Sequence, residues 1–187
     1  MSSTFSEDPI VNVIHNSIRK GISVTLENEC EASAVILILS AIDAMAYLAM
    51  PDNHQDVTSD DFIKWADKYI RFSCKDQLTG ADIYGARCSM LHSFGAQSRM
   101  SRSGKCRKIL WMDEAEPRIL YRPDVQPDFV FVSILDLKDA LFDGMDRFLI
   151  DIYKNSSSNE AKLADKRFRS FVHKLKTEDV MSSGETS

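Results

Sequence analysis

The stretch Ala32–Met50, ASAVILILSAIDAMAYLAM, constrains this chain more than any other. Its nineteen residues come close to the roughly 20 apolar residues that span a bilayer. Yet Asp43 lies inside it, and Glu27, Glu29 and Glu31 crowd its entry with no basic flank. A charged residue near the bilayer centre costs about 2.5–3.5 kcal/mol. A helix apolar on most of its sides also belongs at the centre of a soluble bundle, and that reading is preferred, with no membrane partner. At 187 residues, 44% hydrophobic and 27% charged, the chain has the size and composition of one soluble domain. Seven Gly and five Pro argue against a turn-dense β-sandwich.

The rest of the chain supplies helices to surround that segment. Residues 1–8 read as a frayed start. Pro9 suits the first turn of a helix running to about Glu27, with Ile10, Val13, Ile14, Ile18 and Ile22 on one stripe. After the polar loop PDNHQDVTSDD, Thr58 or Ser59 caps a third helix carrying Phe62, Trp65, Tyr69 and Phe72. The break SCKDQLTG leads to a fourth helix from about Ala81 to Phe94, stopped by Gly95. KILWMD, RILYRP and FVFVSI then read as short strands. Helices return at about Leu135–Lys154 and Glu160–Leu175, and the tail from Thr177 reads as disordered. The expected fold is mainly α: a single-domain bundle of about six helices, over residues 9–94 and 135–175, with a small antiparallel β insertion near 108–134.

Cys30, Cys74, Cys88 and Cys106 are widely scattered, without Cys-x-x-Cys spacing or a dense framework. A reducing cytoplasm is the expected location, and the N-terminus carries no signal-peptide pattern. Phosphate-binding, dinucleotide, zinc-protease and nucleophile-elbow signatures are missing from the sequence, so no cofactor and no metal are expected.

The net charge of −5 is unevenly spread. Residues 83–112 hold Arg87, Arg99, Arg102, Lys105, Arg107 and Lys108 and no acid. Residues 162–176 hold six Lys or Arg against Asp165. These segments carry +6 and +5, so the rest of the chain carries −16. A basic cluster neutralises phosphates and steers association, and it also forms ordinary solvated surface. Ser and Gly interleave the cations of QSRMSRSGKCRK, a composition suited to a loop that touches phosphates.

Just before that loop, the fourth helix places Arg87 and His92 five residues apart. An imidazole that moves protons, beside a guanidinium that stabilises charge on phosphorus-bound oxygens, suffices for metal-free RNA cleavage. His92 falls in the last helical turn, where the helix dipole favours a cation. A pair at i and i+5 stands about 140° apart on a regular helix, so the two share a cleft only with distortion, a bent Arg side chain or a second copy of the helix. Asp43 is a candidate partner for Arg87, and Ser89 a candidate phosphate contact. The competing reading has Arg87 paired with Asp43 and His92 capping its helix. A Cys88–His92 thiol–imidazole pair and a zinc site from Cys88, His92 and Cys106 are weaker alternatives. Arg167 and His173 give a second match to the spacing, on an openly charged terminal helix.

A helical bundle with Arg-x4-His resembles the HEPN superfamily, and DIYGARCSMLHSFG followed by SRSGKCRKI also resembles uncharacterised bacterial proteins of similar length. Active HEPN members commonly carry a polar residue after the Arg, where this chain has Cys88. The resemblance implies an all-α homodimer with Arg87 and His92 facing a dimer cleft. It implies metal-independent endoribonuclease activity in a toxin–antitoxin, defence or RNA-processing system. Arg99, Arg102, Lys105, Arg107 and Lys108 would then hold RNA, and an antitoxin-like protein is an expected partner. A non-catalytic module that binds RNA, nucleotide or protein, and a structural dimerisation protein, are the alternative functions.

Overall fold

The computed structural model describes residues 9–72, 78–112, 119–124, 126–154, 157–169 and 171. The expected frayed start, most of the break after the third helix, and the chain beyond Phe171 lie outside the described residues. That last part includes His173, the final turns through Leu175 and the tail.

Helix α1 (Pro9–Val13), a π-helical turn (Ile14–Arg19) and α2 (Lys20–Glu27) follow one another without a break, because Val13, Arg19 and Lys20 all keep right-handed helical dihedrals. Ile10, Ile14 and Ile22 of the expected stripe are buried. Helix α3 (Glu31–Ala49) is the central apolar segment. It packs against α2, α4 (Ser59–Tyr69), α5 (Gly80–Ser93), α7 (Ile134–Tyr153) and α8 (Asn159–Phe168). Ile38, Leu39, Ile42 and Met45 are completely enclosed. Among the described residues α3 is the one helix long and apolar enough to cross a membrane, and half of that stretch is buried against its neighbours. Its remaining side presents Ser33, Leu37 and Ser40 to solvent, with Asp43, Ala44 and Tyr47 half-buried.

The fold is mainly α with a small β insertion, as the pattern predicts. Strands β1 (Lys108–Met112), β2 (Ile119–Leu120) and β3 (Phe129–Ser133) form the insertion. The sheet is mixed, not antiparallel throughout. Its order is β1-β3-β2, with β1 parallel to β3 from Lys108↔Phe129 to Met112↔Ser133, and β2 antiparallel to β3. Two reversals of the chain between β1 and β3 leave those strands pointing the same way. β3 is the central strand, paired on both edges, and its Val130 and Val132 side chains are fully enclosed.

A further departure is α6 (Arg99–Arg102), one helical turn inside the expected loop. Ser98 and Ser101 form a reciprocal capping box that fixes it. Helix α5 also stops differently. Phe94, not Gly95, adopts the left-handed conformation (φ 51°); its N–H donates to the Met90 carbonyl and the Gly95 N–H to that of Ser89.

Candidate functional site

Helix α5 carries the Arg–His pair, and its position is set at its start. Thr79 and Asp82 form a capping box: the Thr79 hydroxyl accepts from the Asp82 N–H, and Asp82 accepts from the Thr79 N–H at 3.0 Å. The next residue, Gly80, lies against the backbone of α4. A Cβ there would stand 2.5 Å from the Ile63 carbonyl oxygen, so only glycine permits this approach of the two helices.

About two turns on, Arg87 meets α3. Its Nε donates to Asp43 Oδ2 at 2.8 Å, and each side chain keeps 27% of its surface open to solvent. Burial alone would push the Arg87 guanidinium down, but the Asp43 carboxylate holds it above its ordinary value. Tyr84, one turn earlier, is pushed up by burial and by its neighbour Cys88, while Arg87 pulls the other way. His92 is exposed in the last turn. Ser89 is 2% exposed, and its hydroxyl donates to the Ala86 and Gly85 carbonyls at 2.9 and 3.2 Å. That hydroxyl serves the helix backbone, so Ser89 does not line an open site.

The basic segment packs on the other side of α5. At Gly85 a Cβ would fall 2.4 Å from the Cys106 sulphur and 3.5 Å from the Ser98 hydroxyl. Gly85 lies two residues from Arg87, on a face about 160° away. The sequence-adjacent clusters are therefore spatially divided. Arg87 faces Asp43 on α3, the basic segment covers the opposite face, and His92, seven residues past Gly85, stands at the end of the helix on the basic segment's side.

Within that segment the five cations have different roles. Arg107 is committed to Asp82. Its backbone N–H donates to Oδ1 at 2.8 Å, its Nη2 to Oδ2 at 2.6 Å and its Nε to Oδ2 at 3.1 Å. Its guanidinium also lies over the Tyr121 ring, 4.6 Å from the centroid. The Lys108 ammonium stands 4.7 Å from the Phe129 ring centroid. Arg99, Arg102 and Lys105 are exposed. Arg102, Lys105, Arg107, Ser101 and Tyr121 line an open cavity of about 490 Å³ with Asp128 at its side. This concentration of donors suits a phosphate group.

Asp82 organises the region and is absent from the residues that motif spacing singles out. Burial would raise its carboxyl, but hydrogen bonds from Arg107 and Thr79 outweigh that and hold it below the ordinary 3.8. Its one local signal is the Thr79–Asp82 spacing, since Arg107 arrives from 25 residues downstream.

Lys162, Asp165 and Lys166 of the last helix and Arg169 at its end are exposed, in keeping with an openly charged face, but Arg167 is not. It is 7% exposed and donates to the Leu48, Met50 and Pro51 carbonyls, satisfying the C-terminal end of α3. Among the described residues, no group of three or more His, Cys, Asp or Glu side chains is placed to hold a metal ion. Comparison of the chain with protein-family models, curated proteins and solved structures found no match.

Proposed function

We propose that this protein is a HEPN-like, cytoplasmic homodimer that cleaves RNA without a metal, using Arg87 and His92 in a cleft between two copies. The observation that carries this reading is accessibility. On α5, Arg87 with Asp43 is partly open and His92 is exposed. Asp43, the partner of Arg87, lies on the side of α3 left partly uncovered, where Leu37 is 40% exposed. A second copy placed there supplies the proximity that the 140° separation denies within one helix. An imidazole takes the proton of the ribose 2′-hydroxyl, whose oxygen attacks phosphorus. The bond to the 5′-oxygen breaks, and that oxygen leaves with a proton from an imidazole. Arg87 stabilises the charge on the equatorial oxygens, and Asp43 holds its guanidinium in place. The products are a 2′,3′-cyclic phosphate and a 5′-hydroxyl.

The test is cleavage of a single-stranded RNA in excess chelator, with termini identified by mass spectrometry. His92→Ala and Arg87→Ala should each lower the rate at least about 100-fold. Unchanged cleavage in both would remove the assignment. A second reading, an RNA-binding module without catalysis, is favoured by the ion pair that occupies Arg87. It predicts salt-sensitive RNA affinity, no cleavage and no effect of His92→Ala. An antitoxin-like protein partner fits either reading.

A further inference from the structure

A second cavity, larger than that of the basic segment, lies away from these residues. It measures about 1130 Å³ and opens between the C-terminal end of α3, the outer face of α4, the end of α7 and the start of α8. It shares no lining residue with the Arg87–Asp43 pair, His92 or the basic segment. Sites for small molecules are of this order of size.

Its lining combines an aromatic floor with a rim of both signs. Trp65, Tyr69 and Phe148 are each less than a tenth exposed, and their ring centroids lie 5.2 to 5.9 Å apart. Phe148 meets the other two edge-on, the arrangement that aromatic quadrupoles favour. The Tyr69 hydroxyl donates to Asp151 at 2.9 Å and Lys68 pairs with the same carboxylate at 3.2 Å, so the floor is held before any ligand arrives. The Trp65 indole N–H is sealed from water and meets no acceptor among the described residues. Buried donors are nearly always satisfied, and a small tilt of the ring would offer this one to a bound acceptor. At the rim, Lys64 and Lys154 stand with Asp52 and Glu160, all exposed.

We infer that this cavity is a binding site for a small aromatic zwitterion, of the chemical class of an aromatic amino acid. The rings receive the aromatic group. The lysines receive the carboxylate, and the acids the ammonium. A rim balanced in sign disfavours a ligand with charge of only one sign, because such a ligand leaves one half of the rim unmatched.

Isothermal titration of the full chain with L-phenylalanine, L-tyrosine and L-tryptophan tests this. At least one should give saturable binding. Phenethylamine and 3-phenylpropionate, which keep the ring and one charge each, should bind about tenfold more weakly or worse than L-phenylalanine. Ala49→Trp fills the mouth from an exposed position at the end of α3. It should abolish binding while the unfolding midpoint stays within a degree or two of the parent. The inference is overturned if no amino acid binds, if the single-charge analogues bind equally well, or if binding survives Ala49→Trp. Because RNA cleavage uses none of these residues, the ribonuclease reading stands or falls separately.

Discussion

Phe94 combines a left-handed backbone (φ 51°) with a side chain 68% exposed. Bulky residues seldom adopt that conformation, which costs roughly 1–2 kcal/mol relative to the right-handed one. An exposed ring returns little of it through burial. Gly95 follows immediately, so the natural helix-stopping residue sits one position too late. Phe94→Gly should therefore raise stability by about 1 kcal/mol, measured by urea denaturation. A Phe at a strained, exposed position two residues from His92 fits a surface that contacts something outside the chain. A loss of stability in the variant would instead show that the ring packs. Asp82 gives the opposite case, a residue whose charge the fold requires. Its folded-state carboxyl lies below the ordinary 3.8, so it binds its proton less readily than in the unfolded chain. The stability it contributes is complete above that ordinary value and is lost as pH falls through the lower folded value. Asp82→Asn should cost about 3 kcal/mol at neutral pH, because Arg107 loses a buried partner. Stability of the variant should also fall less steeply than the parent's below about pH 4, which thermal unfolding across an acid series would show.

Elements were legible where local signals suffice. Three-to-four-residue spacing locates α4 through Phe62, Trp65 and Tyr69, all buried, though Phe72 falls beyond its end, and of the two capping candidates Thr58 is the one that caps it. The apolar run located α3. Signals that depend on distant partners were not legible. Ser98–Ser101 caps α6 with a serine where a glutamate is the recognisable mark, so the turn resembled a loop. Nothing in IHNSIR distinguishes a π turn from an ordinary helical turn. The pairing of β1 with β3 depends on which strand the core encloses, which no strand reveals alone. Gly80 shows the same limit. Read locally, replacing it with Ala should stabilise α5 by up to about 1 kcal/mol, since Ala is the better helix former. In the fold the added carbon meets the Ile63 carbonyl oxygen at 2.5 Å, and backbone cannot yield as a flexible side chain can. Gly80→Ala should thus destabilise the protein by about 1–3 kcal/mol by forcing α4 and α5 apart. A chemical-denaturation midpoint decides between the two signs, and a gain in stability would mean that the helices do not approach this closely.

At the scale of the whole molecule, the separation of charge into an acidic body and basic segments is a property of the sequence, but its division of labour is not. All five cations from Arg99 to Lys108 read alike as a phosphate-binding run. The fold divides them. Arg107 is enclosed by Asp82 and Tyr121, whereas Arg102 and Lys105 stand at the surface on either side of Gly104, whose φ of +69° turns the chain between them. An ion pair with a buried carboxylate is structural before it is electrostatic: removing one member strands the other away from water. An exposed cation strands nothing when it is lost. Removal of cations at the two places should therefore have opposite signatures. Arg107→Ala should lower stability by about 3 kcal/mol, and whatever it does to RNA affinity follows from that. Arg102→Ala with Lys105→Ala should leave the unfolding midpoint unchanged. It should also weaken RNA binding and reduce the dependence of log affinity on log salt by about 2, one for each phosphate contact removed. Fluorescence-anisotropy titrations across a salt series, beside thermal unfolding of each variant, read both quantities. An unaltered salt slope in the double variant would place RNA on some other face, and an undiminished stability in Arg107→Ala would free that residue to be counted among the phosphate ligands.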